Sequence, residues 1–299
     1  MKVLVSGASG FLGRELSSLL GTRGHEVYRL VRDPAKAREG DVLWQPSSPL
    51  EAARMAEFDV IVHLAGRPVA TLWTEQVKAE IRSSRVMGTA NLARAAAQAF
   101  VSSGKPHALI CSSAIGYYGS RGDEELVEES EAGLGFLAEV CRDWEAAAQP
   151  AAMAGVRVAH MRSALVLDAE GGALAKMLPA FRLGLAGKLG SGRQWWSWIS
   201  RRDAVRAFAF AVENELVHGA LNVSAANAVT NAEFTRTLGR VLHRPTLLTV
   251  PAVVLRTVAG EMAEETLLAS QRVIPKRLLE AGFNFEDPEL ELALRKLLQ

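Results

Sequence analysis

Cysteine is almost absent. The 299-residue chain holds two, Cys111 and Cys141, too few for a disulfide framework and not in a zinc-binding pattern. Its six histidines are scattered, with no pair spaced as ligands on one helical face, so no metal is expected. An excess of one charge is missing too. Lys and Arg number 34 against 33 Asp and Glu, and the formal charge of +1 gives no footing for nucleic acid or an anionic membrane. No run of about eighteen apolar residues occurs, so a membrane span is not expected. The opening stretch, MKVLVSGASG, is far too short an apolar run for a signal peptide. With scarce thiols and no export signal, the expected compartment is the cytoplasm. Internal repeats and low-complexity linkers are also lacking.

What is present is an ordinary globular composition, 49% hydrophobic and 22% charged, long enough for one large domain or one and a half. Short valine-rich runs alternate with helical patterns from the first residue. Strands are expected at Lys2–Ser6, Glu26–Val31, Asp41–Trp44, Phe58–Ala65, Pro106–Ser113 and Gly155–Leu167. Helices are expected at Phe11–Leu20, Thr74–Ala99 and Gly133–Ala154. The run FDVIVHLA has the unbroken apolar character of a central parallel strand covered on both faces. This rhythm predicts an α/β protein with a doubly wound parallel sheet, a Rossmann fold, over residues 1–166. Right-handed crossovers then bring the strands' C-terminal ends to one edge, where ligands bind.

After residue 167 the rhythm changes, with glycines at 171, 172, 184, 187, 190 and 192 loosening the chain. Residues 167–299 are expected to form a smaller C-terminal substrate lobe, mostly helical, with one strand at Ala220–Ser224 rejoining the sheet.

The sharpest motif is VLVSGASGFLG, which sets Gly7, Gly10 and Gly13 between the first strand and first helix. Gly7 permits the tight turn, Gly10 lets backbone approach a pyrophosphate, and Gly13 allows close helix–sheet packing. The free N–H groups near Phe11 and Leu12 meet the phosphate charge. In the first βαβ unit this spacing predicts a dinucleotide site. The second strand runs out as VYRLVRDP, with Arg32 about twenty residues past the loop. An arginine fork there suits a 2′-phosphate, so NADP(H) is the expected cofactor, the alternative being a solvated arginine paired with Asp33. Leu64, Ala65 and Gly66, at the exit of the fourth strand, are expected beside the ribose, with His63 a strand residue.

These residues resemble the extended short-chain dehydrogenase/reductase superfamily, and within it the atypical "epimerase family" proteins. The resemblance runs through GASGFLG, VIVHLAG, EIRSSRVMGT, SSAIGYYG, RSALVL and the long segment GGALAKMLPAFRLGLAGKLGSGRQWWSWI. It implies a Rossmann domain, a nicotinamide cofactor and a small C-terminal lobe. Typical extended members carry a Ser or Thr five residues before the glycine of a YG pair, an Asn on the preceding long helix, and a YxxxK. Here Ala114, Arg85, Cys141 and Glu145 stand at those positions. The usual proton relay is replaced.

The remaining candidates for chemistry are Tyr117 and Tyr118 at the strand end, either as a proton donor or as packing. Cys141 could act as a weak neutral acid, although a carboxylate four residues away disfavours a reactive thiolate; otherwise it is a small buried residue. Arg85 and Arg162 could bind a cofactor phosphate or a substrate carboxylate, or form ordinary salt bridges. Glu80 could pair with Arg85 or accept a ribose hydroxyl. Trp195, Trp196 and Trp198 could wall a pocket or pack in a core. Arg182, Lys188 and Arg193 suggest a flexible lid for an anion, and the acidic run Asp123–Glu131 a solvated loop and helix start. The leading expectation is an NADP(H)-dependent oxidoreductase acting on a small, anionic carbonyl or alcohol substrate. Its rivals are a non-catalytic NADPH-binding sensor or interaction protein, which resembles relatives labelled cell-division-inhibitor-like, and a sugar-nucleotide epimerase. Nothing in the sequence sets an oligomeric state.

Overall fold

A computed structural model describes residues 1–298. Its centre is a seven-stranded, wholly parallel sheet. The strands run in the order Gly219–Val223, Arg157–Ser163, Ala108–Ala114, Val60–His63, Lys2–Ser6, Glu26–Val31 and Val42–Leu43. Parallel strands are covered on both faces, which is why the central ones read as continuous apolar runs. Alternation then sorts them. Val3, Val5, Val62 and Ile110 face one core, and Leu4, Ile61 and Leu109 face the other.

The long helix Glu75–Ser103 covers the second face. Its buried positions include Gly88, Ala93, Ala95, Ala96 and Ala99, whose small side chains bring the helix axis close to the strands. The first face is covered by Gly13–Thr22 and by Arg201–Glu213. The C-terminal part therefore returns more to the sheet than the expected strand. Ala207, Phe208 and Ala211 of that helix, together with Leu278 and Phe283, belong to the same core as Val3 and Val5. The lobe has its own core of Leu174, Leu178, Phe181, Trp196, Trp198, Phe234 and Leu238.

Two expected elements are divided. The predicted helix Gly133–Ala154 breaks into Phe136–Ala146 and Gln149–Met153, because Pro150 cannot continue a helix interior and starts the second piece instead. The predicted strand Gly155–Leu167 ends in the sheet at Ser163, and Leu165–Leu167 pairs with Trp198–Ser200 in the lobe. The segment Gly171–Gly192 is not loose. It forms the helix Gly172–Arg182 and the strand Gly187–Leu189, which pairs with Leu248–Val250. A Cβ on Gly187 would lie 1.8 Å from the Leu248 carbonyl oxygen, so that glycine serves close backbone approach.

Among the described residues no helix is long and apolar enough to cross a membrane.

Candidate functional site

The glycine loop joins Lys2–Ser6 to Gly13–Thr22 at the C-terminal edge of the sheet. Gly7 has φ +70°, and a Cβ there would lie 3.1 Å from the Ala65 nitrogen. A Cβ on Gly13 would lie 2.2 Å from the Gly7 carbonyl oxygen. The loop is therefore folded on itself and pressed against the exit of Val60–His63, while a Cβ on Gly10 would meet only the Gly7 oxygen, at 3.1 Å. No side chain caps the helix, whose N-cap is Leu12. Arg14 N–H donates to the Gly10 carbonyl at 3.2 Å, and the N–H groups of Phe11, Leu12 and Gly13 are left for an anion. The Phe11 ring anchors the lobe to this loop, since a Cβ on Gly171 would stand 2.7 Å from it.

Ser6 ties the two strand ends together. Its Oγ accepts from the Leu64 and Ala65 N–H groups at 3.1 and 3.3 Å, which leaves its proton for His63 Nδ1 at 2.6 Å. His63 is wholly buried, and burial pushes its pKa down to about 4. It is a neutral structural histidine.

Arg32 lies exposed just past Glu26–Val31 and lines a cleft of about 250 Å³ with Trp44, Gln45 and Ser48. Asp33 does not pair with it. The Asp33 carboxylate accepts from Ala35 N–H at 3.0 Å and pairs with Lys36 at 3.6 Å. Among the described residues Arg32 has no acidic partner.

The strand Ala108–Ala114 and the turn Ile115–Tyr118 carry the altered relay. Here Arg162, Tyr118 and Cys141 take the structural one of the two roles open to each in the sequence. Arg162 is not available to a phosphate. It is buried, donates to both Glu145 oxygens at 2.8 Å and to the Tyr118 hydroxyl at 2.9 Å, and stacks on the Tyr117 ring at 3.5 Å. Glu145 is accordingly an interior carboxylate, and it also accepts from Ser113 Oγ at 2.7 Å. Tyr118 is not at the cleft. Its hydroxyl donates to Asn222 Oδ1 at 2.7 Å, and burial pushes its pKa up to about 12. Cys141 is buried beside Gly116, with its thiol pushed up to about 12 by burial first and then by Glu145. Tyr117, half-buried, is the one phenol at this strand end that neither donates to nor accepts from another described residue.

Glu80 pairs with Arg67 and accepts from Gln76, not from Arg85. Arg85 instead leans toward Gly66 and over the Trp144 ring, 5.0 Å from its centroid. Burial lowers its pKa.

The tryptophans separate by strand alternation and by the break at Ser197. Trp196 and Trp198 are core residues, and only Trp195 is partly exposed, donating its indole N–H to Asp123 at 2.8 Å beneath Arg272. Arg182 ends a helix, Lys188 sits in a strand ladder and Arg193 in the short link before Trp195–Trp196, so they form structured surface in place of the expected lid. Sequence reading missed Glu128. Taken as part of a solvated acidic run, it is buried, and its Oε1 accepts from the Asn222 and Arg277 N–H groups. Burial raises its pKa. Only the apolar neighbours Leu126 and Val127 could have hinted at this.

Comparison with known proteins agrees with this geometry. The profile of the NAD dependent epimerase/dehydratase family matches residues 3–224, and a domain of unknown function (DUF1731) matches residues 250–297. An epimerase family protein of Mycobacterium bovis is 41% identical over 98% of this chain and 96% of its own length. The crystal structure of human epimerase family protein SDR39U1 with NADPH has 35% identity, covers 99% of each chain and superposes with a TM-score of 0.88. A nucleoside-diphosphate sugar epimerase from Corynebacterium glutamicum has 36% identity and a TM-score of 0.82, this chain spanning 58% of that one. With its parallel sheet, its glycine loop and these relatives, the chain belongs to the NAD dependent epimerase/dehydratase family.

Proposed function

We propose that the protein binds NADP(H) along the glycine-loop edge of the sheet and uses it to reduce or oxidise a small carbonyl or alcohol compound. The observation that carries the cofactor choice is Arg32, a guanidinium at the end of the second strand without an acidic partner among the described residues. The loop fits the group. Its glycines leave no room for side chains, and its uncapped helix start offers N–H groups to a pyrophosphate. In this reading Gly7, Gly10, Phe11, Leu12 and Gly13 hold the pyrophosphate by backbone, Arg32 holds the 2′-phosphate, and Leu64, Ala65 and Gly66 line the ribose. The NADPH in the human relative supports the choice of cofactor.

When bound, the cofactor supplies a hydride, so reduction of a carbonyl to an alcohol requires one further proton from the protein or solvent. Tyr117 is the side chain for that proton, because Tyr118, Cys141 and Glu145 are committed to the interior. Its ring is held in place by the Arg162 guanidinium. Sugar-nucleotide epimerisation, which needs a competent base at the position of Cys141, is disfavoured by that thiol's burial.

The locked relay also favours a second reading, an NADPH-binding protein without turnover. Incubation with NADPH and a panel of aldehydes, ketones and quinones at 340 nm separates the two, since the enzyme consumes NADPH with at least one class. The cofactor assignment is tested by calorimetric titration of wild type and Arg32→Ala. NADPH affinity should fall about ten-fold or more with NADH affinity unchanged. An unaltered NADPH preference overturns it.

A further inference from the structure

We infer that Arg85 is the anchor for a carboxylate on the substrate, so that the compound turned over at this site is a small carbonyl acid or its alcohol. This rests on the oxidoreductase reading above.

The cations around this part of the long helix are paired. Lys78 meets Glu261 at 2.8 Å, Arg82 meets Asp143, and Arg67 meets Glu80. Arg85 is the exception. Its only hydrogen bond runs from Nη1 to the Ile81 carbonyl of its own helix at 3.1 Å, and no carboxylate lies within ion-pair reach among the described residues. The carboxylate that could have served, Glu145, has both oxygens on Arg162.

The Arg85 side chain is half-buried, and its nitrogens that lack a protein partner are not sealed from solvent, so water holds the place that an anion could take. Burial already lowers the Arg85 pKa. The side chain is nevertheless held in one place. It stacks on Trp144, whose indole N–H is fixed by Thr89 Oγ1 at 2.9 Å. Its Cζ also lies 3.4 Å from where a Cβ on Gly66 would be, so glycine at 66 leaves the fork unobstructed. An oriented planar fork with spare donors is the complement of a carboxylate, which it can grip through two parallel hydrogen bonds.

Arg85 stands beside Gly66, at the ribose in the reading above, and reaches from there toward the strand end that carries Ala114. Arg85 bridges the exit of Val60–His63 and the helix Phe136–Ala146, beside Cys141. That is the helix facing the end of Ala108–Ala114 through Gly116. The phosphates, in the reading above, have Arg32 and the loop amides. An anion arriving at Arg85 therefore comes with the compound seated near Ala114 and Tyr117.

The test uses the full chain saturated with NADP+, so that binding is read without turnover. Pyruvate, 2-oxobutyrate and levulinate are titrated, each against its methyl ester, into wild type, Arg85→Gln and Arg85→Lys. A separate NADPH isotherm is recorded for each protein. At least one acid should bind wild type about ten-fold or more tighter than its ester. Arg85→Gln should reduce that ratio to about two-fold or less with NADPH affinity unchanged, and Arg85→Lys, which keeps the charge without the fork, should fall between.

The inference is overturned if no acid outbinds its ester in wild type. It is also overturned if Arg85→Gln weakens NADPH and leaves the acid-to-ester ratio intact, which would make the anion a cofactor phosphate. A third overturning result is a variant that changes neither, leaving Arg85 as packing on Trp144. Failure of wild type to bind NADPH strikes the cofactor reading alone, and the acid-to-ester ratio of the free protein is then judged by itself.

Discussion

Arg162 and Glu145 face each other in the interior as a two-pronged ion pair, Nε to Oε1 and Nη2 to Oε2, each at 2.8 Å. By the sequence resemblance, the carboxylate stands at the position of the lysine in typical short-chain dehydrogenases. The arginine on the neighbouring strand has taken both of its oxygens, and Ser113 and Tyr118 complete the network. The family's proton relay has thus been replaced by a closed structural one.

Breaking that pair from one side should be severe. Glu145→Gln leaves a buried guanidinium without a counter-charge and should cost about 3–5 kcal/mol. Replacing both partners by apolar residues, Glu145→Leu with Arg162→Met, should cost less than either single change. Urea unfolding of Glu145→Gln, Glu145→Leu, Arg162→Met and the double variant checks the order; a double variant at least as unstable as either of its singles would contradict it.

Gly13→Ala adds a methyl group 2.2 Å from the Gly7 carbonyl oxygen. Alanine favours the helix by about 1 kcal/mol, but crowding against backbone should outweigh this, for a net loss of about 1–2 kcal/mol. NADPH binding should weaken with it, because the loop must open. Thermal melting with and without NADPH reads both effects.

His63 makes stability depend on pH. Its folded pKa of about 4 lies below the usual 6.5, because burial disfavours the charged ring. The unfolded chain therefore binds the extra proton first, so the contribution is full above pH 6.5 and is lost as the pH falls toward 4. The total is roughly 3 kcal/mol. Denaturant unfolding at pH 7, 6 and 5 should show this slope in wild type, and a shallower one in His63→Gln.

Both thiols should be inert in the folded protein. Cys111 and Cys141 are buried, and burial pushes each to about 12. Iodoacetamide at neutral pH should label neither until denaturant is added, as read by mass spectrometry. Rapid native labelling of Cys141 would restore it as a chemical group.

The apolar periodicity and the glycine spacing were legible because they are local. A strand buried on both faces must be apolar throughout, and a loop folded on itself must lack side chains at fixed positions. The replacement of the usual relay at Ala114, Arg85, Cys141 and Glu145 is equally a matter of position along the chain. Pro150 is a local signal as well, and it divides the helix expected over Gly133–Ala154.

Burial and pairing were not local. Glu128 looks like one charge in an acidic run, and it is buried because the strand Gly219–Val223 and the start of Lys276–Glu280 bring the N–H groups of Asn222 and Arg277 to it. Glu80 is close to Arg85 in the chain, but five residues along a helix turn the two side chains apart, and the loop after Val60–His63 delivers Arg67 to Glu80.

By itself, the sequence determined the parallel sheet and the glycine loop, since each follows from residue types at short, fixed separations. Only the tertiary structure decided which arginines keep a free charge. Ion pairing acts over a few ångströms between elements distant in the chain, and it left Arg162 neutralised and Arg32 and Arg85 open.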